Sequence, residues 1–222
     1  MLNLLTGVDV TANQRGEIED TEIFQLEFDN NSKKVAFRTN TDKYWVVDGG
    51  VTATGSEASK SMFDLEWHGS KIVLKPPSGK YITATSNGKL HEGAAEPNDA
   101  SYFTIELLNR PLLVLRQENG FVGTTASGKI ECGRANYTVF KTTGENGTYK
   151  LQAPSGNFWV TNSDVTISAT ADEASADSYT LELQPNSQLC IKAPNGNYVQ
   201  AGQNGIFTAK GTSVDKSTLW EY

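Results

Sequence analysis

The chain has 222 residues, 37% hydrophobic content and a formal net charge of −7, with 26 acidic against 19 basic side chains. That balance argues against nucleic acid or an anionic membrane as the main partner, so an acidic partner must be met by local groups of Lys and Arg. Nine Phe, eight Tyr and four Trp supply large apolar surfaces for a core, and 20 Gly against 7 Pro, with no stretch of 3.6-residue periodicity, point to an all-β protein.

In chain order, one spacing recurs: an apolar pair, a turn, then an aromatic anchor. Val35 and Phe37 precede Tyr44 by 9 and 7 residues, and the same relation holds for Ile72 and Leu74 before Tyr81. It returns as Leu112 and Val114 before Phe121, Tyr149 and Leu151 before Phe158, and Leu189 and Ile191 before Tyr198. The anchors lie 37, 40, 37 and 40 residues apart, and 40 residues before Tyr44 stands Leu4, preceded by Asn3 as Tyr198 is by Asn197. The chain therefore reads as six copies of one unit, the first without its opening strand.

Apolar residues two apart belong to half-buried strands. The turns that follow, such as Ser78-Gly79-Lys80 and Asn195-Gly196-Asn197, carry the Gly and Asn that tight hairpins need. A second glycine at Gly88, Gly128 and Gly205 precedes an apolar residue at Leu90, Ile130 and Phe207. Each copy closes on aromatic-x-aliphatic-Glu-apolar, at Phe24–Phe28, Phe63–Trp67, Phe103–Leu107 and Tyr179–Leu183, echoed by Leu219-Trp220-Glu221-Tyr222. The fourth copy departs, with Phe140 but Thr143 in place of the Glu. The polar stretches Glu92–Ser101 and Ala171–Ser178 read as loops or single helical turns.

A unit of about 40 residues cannot bury its apolar face alone and must associate with copies. A six-bladed propeller and a pair of β-trefoils both satisfy this. A propeller lacking its first strand is normally closed by a spare strand from the other terminus, and Trp220-Glu221-Tyr222 leaves none. The reading adopted is two tandem β-trefoils, residues 1–108 with an incomplete first copy and residues 109–222 complete.

Motifs with chemistry are few. Gly123-Thr124-Thr125-Ala126-Ser127-Gly128-Lys129 has phosphate-loop spacing, but Ile130 replaces the needed Ser or Thr and Gly88-Lys89-Leu90 repeats the same pattern, so it reads as a hairpin tip. His68 and His91 have no acid pair or nucleophile nearby in sequence. The recurrent Glu27, Glu66, Glu106, Glu182 and Glu221 are expected to lie on a solvated strand face or to bond a neighbouring backbone amide. Cys132 and Cys190 have no metal or redox spacing and are expected to be reduced and packed. No signal-like or membrane-spanning run opens the chain, so the expected compartment is the cytosol, with no catalysis, cofactor or metal.

Phe24-Gln25-Leu26-Glu27-Phe28, Ala36-Phe37-Arg38-Thr39, Lys43-Tyr44-Trp45, Asn109-Arg110-Pro111 with Arg116, and Leu219-Trp220-Glu221-Tyr222 together resemble fascin, the actin-bundling family built of four β-trefoils. The resemblance covers the whole chain and matches the third and fourth trefoils, beginning inside the third. It implies a non-catalytic module that crosslinks filamentous actin in the cytoplasm, partnered by the N-terminal trefoils or another chain, without nucleic acid or membrane. It marks Arg110 and Arg116 as leading filament contacts with Glu118 and Asn119 beside them, and Lys129 and Gln200 complete the candidate set. Thr85-Ser86 and Gln200 stand where vertebrate members carry lysine, and the basic regions at Lys33-Lys34 and Lys210 to Lys216 are the next candidates. The alternative is a trefoil pair for small ligands or glycans, with Trp45 or Trp159 exposed in shallow pockets.

Overall fold

The computed structural model describes residues 3–5, 9–12 and 16–222. It is all-β, with 3-10 turns at Asp20–Glu22, Ala58–Lys60 and Asp99–Ser101 and no α-helix among the described residues. The chain forms two compact units, Met1–Phe103 and Thr104–Tyr222, and each is a β-trefoil.

The first unit holds β1 (Asn3–Leu5), β2 (Asp9–Thr11), β3 (Gln25–Phe28), β4 (Val35–Arg38), β5 (Tyr44–Val47), β6 (Val51–Gly55), β7 (Asp64–His68), β8 (Lys71–Lys75), β9 (Ile82–Ala84) and β10 (Leu90–Glu92). Each closing strand forms a hairpin with the opening strand of the next copy, β3 with β4 and β7 with β8. Bridges from Val35 to Phe63 and from Ile72 to Phe103 continue the barrel wall. The side chain of Leu4, the expected anchor of the first copy, lies outside the described residues.

The second unit holds β11 (Leu112–Leu113), β12 (Arg116–Gln117), β13 (Gly120–Thr124), β14 (Ile130–Arg134), β15 (Phe140–Glu145), β16 (Thr148–Gln152), β17 (Phe158–Thr161), β18 (Ile167–Ala171), β19 (Thr180–Gln184), β20 (Gln188–Lys192), β21 (Tyr198–Ala201), β22 (Phe207–Gly211) and β23 (Leu219–Glu221). Its wall is a closed ring. β11 pairs β15, β15 pairs β16, Tyr149 bridges Tyr179 at the start of β19, β19 pairs β20, β20 pairs β23, and β23 returns to β12 through Glu221 and Arg116. The hairpins β13–β14, β17–β18 and β21–β22 cap one end, joined by the bridges Lys129–Ser168, Glu131–Ile206 and Thr166–Thr208. Lys129 thus sits on a hairpin tip, and neighbouring Gly128, at φ +81°, accepts the Ala169 amide.

The most buried residue of each second strand is the one after the expected anchor. Trp45, Ile82, Val122, Trp159 and Val199 are fully buried, whereas Tyr44, Phe121 and Tyr198 are only half-buried. The cause is a β-bulge between Tyr44 and Trp45, Phe121 and Val122, Phe158 and Trp159, and Tyr198 and Val199. The extra residue turns the strand so that the second of the two side chains points into the core. Trp45 and Trp159 are consequently core residues at 0% exposure, which corrects the expectation that either ring faces a surface pocket.

The fourth copy differs by one residue in register. Arg116 pairs with its anchor Phe121 across a two-residue turn, whereas Arg38, Gln152 and Lys192 pair with anchors six residues on. A one-residue slip exchanges the faces of a strand. The buried pair is therefore Leu113 and Leu115, at 3% and 0% exposure, and Leu112 is 56% exposed.

The recurrent glutamates also have a more specific role than expected. The Tyr44 hydroxyl donates to Glu27 at 2.9 Å, that of Tyr81 to Glu66 at 3.1 Å, and that of Tyr198 to Glu182 at 2.8 Å. Three of the five closing carboxylates, Glu27, Glu66 and Glu182, thus accept from the anchor tyrosine of the following copy, whereas Glu106 precedes the anchor Phe121 and Glu221 faces Arg116. Arg38 lies 3.6 Å from Glu27 and Lys192 3.6 Å from Glu182, while Lys75 sits 4.7 Å from the centre of the Tyr81 ring. Where Thr143 replaces the glutamate, the following anchor is Phe158, which has no hydroxyl to satisfy. Both cysteines are free and buried, as the sequence led us to expect.

Candidate functional site

The place where the second unit's ring closes gathers most of the candidate side chains. Proline at position 111 holds the entry to β11 extended and spares a strand donor. Thr142 fixes that entry, its amide donating to the Pro111 carbonyl at 2.9 Å and its hydroxyl donating to the Arg110 carbonyl. The exposed Arg110 guanidinium is thereby held 5.0 Å from the centre of the Tyr222 ring. A guanidinium over an aromatic face keeps its full charge and most of its donors available.

Arg116 stands on β12, opposite Glu221 on β23, with 3.9 Å between Nη1 and Oε2. Its guanidinium also lies 5.6 Å from the Phe121 ring centre, and Phe121 meets the exposed Tyr137 edge-on at 6.0 Å. The two arginines are therefore each supported by a ring. Arg116 projects from β12 of the closed ring, and Arg110 from the segment that enters β11.

The β12–β13 turn is pinned to the loop before β23. Gln117 Nε2 donates to the carbonyls of Ser217 and Leu219 at 3.0 and 2.9 Å, and Glu118 pairs with Lys216 at 2.9 Å. Asp215 organises that loop by accepting from the amide and hydroxyl of Ser217 at 2.8 and 2.7 Å, and the Ser217 bonds hold its carboxyl below the usual aspartate range. Ser217 reaches Gln200 Oε1 at 3.5 Å. Asn119 completes the turn. Gly120 follows at φ +126°, where a Cβ would meet the Arg134 carbonyl at 2.7 Å, so glycine is required there.

Arg110, Arg116, Glu118, Asn119 and Gln200 thus share this rim. Lys129 does not, because it lies at the opposite end of the β13–β14 hairpin, roughly 15 Å away at the strand rise. Lys129 pairs instead with Glu131 at 3.9 Å, near the 2.7 Å contact between Glu131 and Arg134. Tyr222, Phe121, Tyr137 and Gln117 belong to the rim, although the sequence marks Phe121 as a core anchor and Tyr222 as part of the closing motif, and none of the four as a contact. The closing motif at Glu221 held the available signal, since a ring must return its last strand to its first.

Arg110, Arg116 and Lys216 stand against Asp215, Glu118 and Glu221, so the rim is balanced in charge on an acidic chain, with Arg110 held by a ring rather than by a carboxylate. The site has ion-pairing and stacking groups and no nucleophile paired with a base. Among the described residues no group of three or more His, Cys, Asp or Glu is placed to hold a metal ion.

A fascin domain profile matches residues 5–105 and 117–222. The chain belongs to the fascin family. Fascin-2 of Homo sapiens is 34% identical over 220 residues, which is 97% of this chain and 44% of that protein. Fascin of Strongylocentrotus purpuratus is 35% identical over 218 residues, 93% of this chain and 42% of that protein. Fascin-3 of Mus musculus is 28% identical over 205 residues, 90% of this chain and 41% of that protein. The chain thus spans less than half the length of the curated relatives it matches. Within this fascin chain, Arg110 and Arg116 fall between the two matched segments, while Glu118, Asn119, Lys129 and Gln200 fall inside the second.

Proposed function

We propose that this chain is the third and fourth trefoil half of a four-trefoil fascin, a non-catalytic cytoplasmic module that binds filamentous actin and, with the remaining trefoils, crosslinks filaments. The observation that carries the reading is the pair of ring-supported arginines, Arg110 on Tyr222 and Arg116 on Phe121, both borne where the barrel closes. A filament surface is acidic, and guanidinium groups preorganised on rings meet carboxylates with little loss of side-chain freedom. The two named tryptophans of the glycan-binding alternative are fully buried, so no observation favours it.

Cosedimentation with filamentous actin tests the proposal. Binding that weakens with salt is expected, since exposed charges are screened over about 8 to 10 Å. Arg110→Glu with Arg116→Glu abolishes it and leaves the melting curve nearly unchanged, because exposed ion pairs contribute only about 0 to 1 kcal/mol. A monomer with one such site decorates filaments without bundling them. Binding indifferent to the double reversal refutes the site, and robust bundles formed by the monomer refute the single-site reading.

A further inference from the structure

Tyr137, at 62% exposure, is the most exposed large apolar side chain among the described residues. A lone exposed apolar residue is ordinary on a protein surface, whereas a group of them marks a contact. Tyr137 is not alone. Its ring meets the half-buried Phe121 ring edge-on at 6.0 Å, and the Arg116 guanidinium lies 5.6 Å from the centre of the same Phe121 ring. Two partly uncovered rings and a cation therefore form one step on the rim.

The loop holds the tyrosine in place. Tyr137 stands in residues 135–139, which lead from β14 to β15. A Cβ at Gly123 would meet Arg134 Cδ at 2.5 Å and Thr138 Oγ1 at 3.0 Å, so both flanks of the loop lie directly on the β13 backbone. Glu131 holds Arg134 in turn, at 2.7 Å. The matching stretches of the second, fifth and sixth copies, residues 57–62, 172–178 and 212–218, contain no aromatic residue. The repeat therefore does not require a ring here.

Charge alone gives this rim little affinity. Arg116 faces Glu221 and Lys216 faces Glu118, so the attraction for an acidic surface is largely spent within the chain. Charged groups in such an interface set orientation and partner choice, while a few desolvated aromatic and arginine side chains carry most of the binding energy. We propose that Tyr137, with Phe121 beside it, is the apolar anchor of the rim, a proposal that rests on reading the rim as the site for filamentous actin. The matching feature of the filament is an apolar recess bordered by a carboxylate. The Tyr137 ring enters the recess and Arg116 turns from Glu221 to the carboxylate. A ring with two side-chain torsions, held by a loop seated on β13, loses little freedom on binding.

Cosedimentation with filamentous actin over a salt series tests the anchor on the full chain. Tyr137→Ala is expected to weaken binding by about tenfold or more at low and high salt alike. Tyr137→Phe keeps the ring and is expected to bind as the parent does. Both variants melt with the parent, because an exposed side chain contributes little to stability. Hydroxyl-radical footprinting reads the same contact without a substitution, as a fall in Tyr137 oxidation when filaments are added to the unmodified chain. Parent-level binding by Tyr137→Ala, while Arg110→Glu with Arg116→Glu abolishes it, overturns the anchor and leaves the filament site standing. Binding indifferent to the arginine pair as well removes that site and the anchor with it. Loss in Tyr137→Phe equal to that in Tyr137→Ala, or unchanged Tyr137 oxidation in the bound chain, also overturns the proposal.

Discussion

The Tyr198 hydroxyl donates to Glu182 Oε2 across 2.8 Å, and this bond ties the strand that closes one copy to the second strand of the next. Glu182 is 1% exposed, and its second oxygen has only Lys192 Nζ at 3.6 Å, outside hydrogen-bond range. Burial raises its carboxyl above the usual glutamate value, with the Tyr198 bond and the Lys192 charge opposing that rise.

The sign of the pH dependence follows. A raised pKa means the folded state disfavours the charged form, so the penalty is absent below the ordinary value of 4.5 and grows as pH rises toward the folded value. Glu182→Gln keeps an acceptor for Tyr198 and removes the buried charge. The variant is expected to melt higher than the parent near pH 7, with the gain vanishing near pH 4. Urea melts at the two pH values measure it, and a variant less stable at neutral pH shows that the Lys192 pairing outweighs burial. Tyr198→Phe acts in the opposite sense, costing about 1 to 3 kcal/mol by leaving a buried acceptor unmet.

Leu112→Ala and Leu115→Ala separate the two possible registers of the fourth copy. Leu115 is fully buried and its truncation costs about 2 to 5 kcal/mol. Leu112 is 56% exposed and its truncation stays within about 0.5 kcal/mol. Denaturant midpoints in the reverse order show that the apolar pair 9 and 7 residues before Phe121 faces the core after all.

Gly128→Ala and Gly156→Ala compare a glycine held by packing with one held by conformation alone. Both have positive φ, +81° and +90°, but a Cβ at Gly128 meets the Ala169 carbonyl at 2.6 Å while one at Gly156 meets nothing within 4 Å. Gly156→Ala is expected to cost about 1 to 2 kcal/mol from the left-handed backbone. Gly128→Ala adds overpacking of about 1 to 3 kcal/mol. Equal melting temperatures show that the capping hairpins separate without cost.

Glu118→Gln frees Lys216, its partner at 2.9 Å. Both side chains are largely exposed, so stability changes by at most about 1 kcal/mol. On the proposed function, cosedimentation with filamentous actin is expected to tighten at low salt and return to the parent level as salt rises. Weaker binding makes Glu118 itself a contact.

The period of the apolar pairs and the turn glycines carried the fold, because a strand alternation and a hairpin turn are local and each copy repeats them. Three features escaped. The bulge at Tyr44–Trp45 and its counterparts is not written in residue types, so the buried side chain is one place beyond the expected anchor. The shift at Leu113 follows from a turn two residues long, and Glu118-Asn119-Gly120 does not differ enough in composition from the other turns to declare that length. The glutamate partners lie 15 to 17 residues along the chain, Glu66 with Tyr81 and Glu27 with Tyr44, and are found only once the strands are folded beside each other. In the candidate site, Arg110, Arg116, Glu118 and Asn119 came from the family resemblance. The rings beneath the arginines needed the last strand to be returned to the first.

The tyrosine–glutamate bonds turn the order of the copies into a rule of heredity. A copy anchored on tyrosine needs a predecessor that closes on glutamate, as Tyr44, Tyr81 and Tyr198 have in Glu27, Glu66 and Glu182, while the copy anchored on Phe158 follows Thr143. Moving the copy that holds Tyr198 behind the one that ends with Thr143 strands a hydroxyl beside a partner without a carboxylate. Unequal crossing-over between such similar segments yields a working barrel only where the breakpoints carry both halves of a bond together. The seams inside a closing hairpin are therefore closed to recombination, and those in the turns after the anchors stay open.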